Sequence, residues 1–189
     1  MLENTISNIF HMMKIKKIYE KEIKISKFLI LKKKIFNNNN KKKNFIFFNF
    51  KTYDYVTIIA KTKKKKFPLV YQYRHSLEKY FFELPGGLID KSLSPSKIAI
   101  QELKEETGLQ SKKKPILIAK IYPEVGRLDN KLWIYYIDEC VLSDNWKKEE
   151  TISVKYFSKK QLFNLIKSNK FLSSVHLSAV CIGIAKKFF

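Results

Sequence analysis

At 189 residues the chain has room for one domain with a filled core, or for a domain with a small appendage, and is too short for two ordinary domains. Hydrophobic residues make up 45% and charged residues 29%, which excludes wholesale disorder, collagen-like repeats and a multi-spanning membrane protein. The formal net charge is +21, but of the 38 basic residues only Arg74 and Arg127 are Arg, the residue favoured for base and phosphate recognition. An excess of Lys, Asn, Ile and Phe is what drift in an A+T-rich genome produces, and it weakens the case for a nucleic-acid footprint.

The charge excess is N-terminal: residues 1–66 hold 18 Lys against four acids, a net +14, and the remainder a net +7. The start, to about Lys24, lacks Arg and contains Glu3, Glu20 and Glu22, which fits neither a transit peptide nor a secretory signal. Cys140 and Cys181 lie far apart without a C-x-x-C pair, and His11, His75 and His176 are scattered. No disulfide framework or histidine-based metal site is expected, and the setting is expected to be intracellular and cytoplasmic.

Short β-branched and aromatic runs predict strands over Phe28 to Leu31, Phe45 to Phe50, Tyr55 to Ala60 and Leu69 to Tyr73. The polar tracts Asn37 to Lys43 and Lys63 to Lys66 read as solvated loops between them. Beyond Gly87, Ser94 is placed to cap a helix, Pro95 to open it and Gly108 to end it, so Ser94 to Thr107 is predicted helical. Ile116 to Ile121, Leu132 to Ile137 and Ile152 to Phe157 follow as strands, then Lys159 to Lys167 and Leu172 to Lys186 as helices. The apolar stretch from Phe171 to Ala185 is too short to cross a bilayer, and no membrane association is expected. The sum is a mixed sheet carrying helices, an α/β or α+β domain.

The predicted helix puts Glu102, Glu105 and Glu106 at i, i+3 and i+4 on one face, with no Lys three or four places away to offset them. Ala99, Ile100, Leu103 and Thr107 form the stripe expected to pack on the sheet. Hard carboxylate oxygens on a rigid helix suit Mg²⁺ or Mn²⁺, especially beside a phosphate-bearing substrate; a merely solvated acidic face is the alternative.

The segment before this helix, Glu83-Leu84-Pro85-Gly86-Gly87-Leu88-Ile89-Asp90, runs from a strand into a glycine turn. Together they resemble the Nudix hydrolase family, whose signature here takes Gly87, Leu93, Gln101, Glu102, Leu103, Glu105, Glu106, Gly108 and Leu109, with its spacing intact. Leu93 stands where the family has Glu, and Gln101 where it has Arg. Losing two opposite charges strands neither, so the changes are expected to compensate each other. The resemblance implies an α/β/α sandwich with a mixed sheet over residues 53–189, plus a basic N-terminal β region over 1–52 that dimerises. Gln72-Tyr73-Arg74 and Tyr122 to Arg127 resemble the branch that cleaves ADP-ribose and nucleotide sugars.

That branch also implies roles for single residues. The Gly86 carbonyl with Glu102, Glu105 and Glu106 would hold Mg²⁺ or Mn²⁺, Glu106 being central to catalysis. Arg74, Glu83, Gly126 and Arg127 would meet the substrate, a nucleoside diphosphate joined to another group. Glu150, with Glu149 beside it, would supply the general base. The expected reaction is metal-assisted attack of water on the diphosphate, giving a nucleoside monophosphate and a sugar phosphate. Two other readings stay open: a catalytically decayed Nudix-fold protein that binds RNA or nucleotide, and an RNA-cap or dinucleotide hydrolase.

Overall fold

The computed structural model describes residues 15–38, 43–90, 92–147 and 151–189. The chain divides into two compact units, Met1–Thr52 with Glu124–Asp129, and Tyr53–Pro123 with Asn130–Phe189.

In the first unit β1 (Ile15–Lys24), β2 (Ile30–Asn38) and β3 (Lys43–Lys51) form an antiparallel meander. β1 has no counterpart among the predicted strands. Its lysines mask an alternation that pairing with β2 makes useful, since Glu20 lies opposite Lys34 and Glu22 opposite Lys32. β2 begins at Ile30 rather than Phe28, after a bend at residues 26–28. Asn37, Asn38 and Lys43 belong to strands, with Asn38 opposite Lys43, so the predicted loop narrows; residues 39–42 lie outside the described residues. Segment 124–129 joins β3 through hydrogen bonds from the Phe50 amide to the Arg127 carbonyl at 2.7 Å and from the Asp129 amide to the Phe50 carbonyl at 3.2 Å. Lys32 draws it in electrostatically, its ammonium 3.3 Å from Asp129 and 3.4 Å from Glu22.

The second unit is built on β4 (Tyr55–Thr62) and β10 (Leu132–Leu142), which run parallel. Around them pair β7 (Gly86–Leu88), β8 (Leu109–Gln110) and β9 (Ile116–Ile121), all antiparallel, so the sheet is mixed. A second antiparallel sheet orders β11 (Ser153–Phe157), β5 (Phe67–Arg74) and β6 (Lys79–Glu83). Helices α1 (Pro95–Thr107), α2 (Lys159–Lys167) and α3 (Ser174–Ala185) complete the unit among the described residues. None is long and apolar enough to cross a membrane.

Strand alternation distributes the core to both faces of the sheet. Val56, Ile58 and Ala60 of β4, with Tyr135 and Ile137 of β10, pack against Ile98, Ala99 and Leu103 of α1. The intervening Ile59, Ile134 and Tyr136 join Leu162 of α2 and Ala179 and Val180 of α3. Two apolar faces back to back require helices on both sides, hence the three-layer sandwich.

Helix α1 starts and stops where predicted, with corrections in detail. Ser94 has the extended conformation of a cap, but its side chain makes no capping bond; the hydroxyl lies 3.2 Å from that of Ser96. Gly108 closes the helix at φ 71°, its amide donating to the Lys104 carbonyl at 2.9 Å. Ile98, not Ile100, completes the buried stripe. Ile100 lies about 100° around the helix from Ala99 and is 48% exposed. Helix α3 begins at Ser174, two residues after the predicted start.

Candidate active site

The backbone of β7 explains both glycines. The ladder with β4 bonds at Ile58 to Pro85 and at Ile89 to Asp54, each 2.8 Å, so Thr57 and Gly86 form a non-hydrogen-bonded pair between those positions. The Gly86 amide therefore points off the sheet, where the Glu106 carboxylate accepts its N–H at 2.9 Å. In an extended residue the carbonyl lies on the same side as the N–H, so the Gly86 oxygen faces that way too. A Cβ on Gly86 would fall 2.2 Å from the Val56 carbonyl oxygen, and one on Gly87 would fall 2.4 to 2.7 Å from the atoms of the Glu102 carboxylate. The absence of side chains lets β7 lie against β4 and lets Glu102 lie over β7.

Glu102 and Glu106 come together because positions four apart differ by only about 40° around a helix, while Glu105 is turned about 60° the other way from Glu102. Glu106 is buried, and Glu105 is exposed and accepts a hydrogen bond from the Gln101 side chain at 2.7 Å. Gln101, standing where the family has Arg, thus occupies itself with a neighbour on its own helix. Leu93, at the other departed position, is 40% exposed.

A second group of residues lies on β5 and β6. Gln72 and Arg74 alternate on one face of β5, the face on which Val70 lies opposite Glu83. Arg74 grips the buried Glu83 carboxylate with both prongs of its guanidinium, Nε at 2.9 Å from one oxygen and Nη2 on the other. Gln72 adds a third donor at 3.2 Å. Burial pushes the Glu83 carboxyl up, but hydrogen bonds from Arg74 and His176 outweigh it and bring it down to about 2. The hydrogen bond to Glu83 raises Arg74 in turn, and the charge of Glu106 adds to that, so the two groups of residues share one electrostatic neighbourhood. Arg74 keeps 48% of its side chain exposed on a cleft of about 310 Å³.

Gly126 and Arg127 belong to the N-terminal unit. There the Glu124 carboxylate accepts from the Gly126 amide and from Arg127 Nε, both at 2.9 Å. Glu149 and Glu150 lie outside the described residues. Just before them Trp146 packs its indole over Gly108 and donates its Nε1–H to the Glu105 carbonyl at 2.9 Å. Neither Trp146 nor the His176 contact with Glu83 was legible in the sequence: His176 and Glu83 are 93 residues apart, and a lone histidine in an apolar helix carries no local signal.

The donor set fits a hard divalent cation in part. The Glu106 carboxylate lies at the Gly86 amide, with the Gly86 oxygen on that same side, and the Glu102 carboxylate lies over Gly87, oxygen donors of the kind Mg²⁺ or Mn²⁺ prefers. Among the described residues, however, no three acidic, histidine or cysteine side chains converge closely enough to form a complete cage.

Comparison with known proteins bears on the family and the fold. Residues 52–176 match the family model described as the NUDIX domain. The chain is 41% identical over 64 residues to a Mycobacterium tuberculosis protein named ADP-ribose pyrophosphatase, a match to 33% of this chain and 31% of that one. It is 27% identical over 118 residues to a Bacillus subtilis protein of the same name, covering 61% and 63%. The match thus spans less than two thirds of the length of either relative. A crystal structure of an ADP compounds hydrolase superposes with a TM-score of 0.78 at 18% identity, covering 89% of this chain and 91% of that one, a likeness of fold. The matched family region extends from just before β4 to the first turn of α3 and encloses the glycine strand, the acidic helix and the Arg74 pair; the chain belongs to the Nudix family.

Proposed function

We propose that the protein hydrolyses the diphosphate bond of ADP-ribose or a related nucleotide sugar, releasing a nucleoside monophosphate and a sugar phosphate. The convergence of Glu102 and Glu106 on Gly86 and Gly87, with Arg74 in the same electrostatic neighbourhood, carries this reading. The names of the two matched relatives support the substrate class. Glu102, Glu106 and the Gly86 carbonyl would hold Mg²⁺ or Mn²⁺, with Glu105 as the adjoining carboxylate. When bound, the cation neutralises the diphosphate and acidifies a water molecule.

The remaining work falls to the chain. Arg74, its fork held by Glu83, anchors an anionic or hydroxyl-rich part of the substrate in the cleft beside it. Gly126 and Arg127 are further candidates for substrate binding, by the likeness of their loop to that of the branch. The oxygen of water bonds to phosphorus, the bridging P–O bond breaks, and the water's proton passes to a carboxylate, Glu150 or its neighbour Glu149. We further propose that the N-terminal sheet pairs two copies of the chain. Ile18, Ile46 and Phe48, each about half exposed, support a role in burying apolar surface.

A panel of ADP-ribose, ADP-glucose, UDP-glucose, a diadenosine polyphosphate and capped RNA, with and without Mg²⁺, tests the proposal. Mg²⁺-dependent cleavage confined to the nucleotide sugars, abolished by Glu106→Gln, is the expected result. Full activity in that variant, or salt-sensitive RNA binding without any turnover, overturns it.

A further inference from the structure

His176, on the first turn of α3, is buried, and both of its ring nitrogens face polar partners. Nε2 lies 3.3 Å from the second oxygen of Glu83, and Nδ1 lies 3.2 Å from the hydroxyl of Thr57. Both partners belong to the strands that build the site. Thr57 is fully buried and sits opposite Gly86 in the ladder, and Glu83 is the carboxylate that Arg74 grips. An ionised carboxylate only accepts hydrogen bonds, so Nε2 must carry the ring proton. Arg74 already neutralises Glu83, and a second buried cation would lack a counter-charge, which favours a neutral ring. Nδ1 is then an acceptor, and the buried Thr57 hydroxyl donates to it.

We propose that His176 is a positioning residue for substrate binding: as the neutral Nε2–H tautomer it holds, from α3, the same Glu83 oxygen that Arg74 Nη2 and Gln72 hold from β5, and so sets the direction in which the guanidinium presents its free edge to the cleft. Without this donor the carboxylate keeps Arg74 and Gln72 but loses the contact that ties it to α3, and it is free to rotate with the arginine still attached. Thr57 acts one step further out by orienting the ring. His176 meets no reacting atom in this scheme. Its effect falls on substrate affinity more than on the chemical step.

This rests on Arg74 as the substrate's anchor, so the experiment has one arm that needs no substrate. In ring ¹⁵N–¹H correlation spectra of the full chain, His176 is expected as the neutral Nε2–H tautomer. An Nδ1–H tautomer or a doubly protonated ring at neutral pH overturns the assignment, whatever the protein's substrate. In the kinetic arm, with ADP-ribose and Mg²⁺, His176→Leu is expected to raise KM about tenfold with a smaller change in kcat. His176→Gln, whose amide restores a donor near Nε2, is expected to recover most of that loss. An unchanged KM in a folded His176→Leu protein overturns the positioning role, and so does a His176→Gln protein as impaired as His176→Leu. Should His176→Leu fail to fold, Thr57→Val supplies the KM comparison, with a smaller rise expected and no rise overturning the role. The expected tautomer in a protein that turns over none of the panel would instead locate the failure in the proposed substrate.

Discussion

The Gly86 amide donates to the Glu106 carboxylate at 2.9 Å, closing a loop of twenty residues between β7 and α1. The bond ties the acidic helix to the glycine strand and satisfies an amide that the sheet ladder leaves aside. Glu106 is thus expected to carry structural as well as catalytic weight. Glu106→Leu, which removes the acceptor, should cost about 1–3 kcal/mol in chemical denaturation, whereas Glu106→Gln keeps an oxygen in place and should cost less than about 1 kcal/mol. Equal losses in the two variants would remove the hydrogen bond from the account.

The two glycines of β7 should fail differently. A methyl group on Gly86 meets a backbone oxygen at 2.2 Å, which only strand displacement can relieve, so Gly86→Ala should lose about 1–3 kcal/mol of stability. A methyl on Gly87 meets the end of the Glu102 side chain, which can swing aside at a cost below about 1 kcal/mol. The carboxylate then leaves its partner, so Gly87→Ala should bind Mn²⁺ more weakly while melting near the parent temperature. Thermal melts with and without Mn²⁺ separate the two, and the reverse order would contradict this geometry.

Gly108 is held by two constraints, its left-handed φ of 71° and the Trp146 indole, whose nearest atom would lie 2.5 Å from an added Cβ. Gly108→Ala should cost about 1–2 kcal/mol for the backbone conformation, and about 1–3 kcal/mol more for the clash. In a Trp146→Ala background only the first cost should remain. A double-mutant cycle by urea denaturation measures the difference, and strict additivity would show that the indole does not rest on the glycine.

Glu83 makes stability depend on acid. Its carboxyl titrates near 2 in the folded chain against an ordinary value of 4.5, so the folded state binds this proton less readily than the unfolded one. The contribution is fully present above about pH 4.5 and is lost as pH falls through 2. Glu83→Gln should remove that component, giving a shallower decline of melting temperature across this window, although it starts from a less stable protein. Parallel declines for the two proteins would place the acid sensitivity elsewhere.

Much of the second unit is legible in the sequence. β4, β5, β9 and β10 each overlap a predicted strand because alternation and β-branching are local properties, and Pro95 and Gly108 bracket α1 by conformational preference alone. Errors fell where a local rule met a tertiary choice. Ser94 adopts the conformation of a cap yet leaves the capping to its backbone carbonyl, which accepts from Lys97 and Ile98. β1 escaped notice because nine of its ten residues are exposed, and it exists through its pairing with β2.

The order of residues by itself determined the spacing from Gly87 to Leu109, the helical phase that brings Glu102 and Glu106 to one side, and the alternation that gives β4 two apolar faces. Each of these acts within about twenty residues, where the chain's own geometry limits the outcomes. Packing alone decided that Glu106 meets the Gly86 amide, and that His176 reaches Glu83 and Thr57 from far along the chain. Such contacts depend on which buried polar groups are brought face to face when the sheet and helices close around the core. No pattern within a short window encodes that choice, because the cost of an unsatisfied buried group is felt only once the surrounding water is gone.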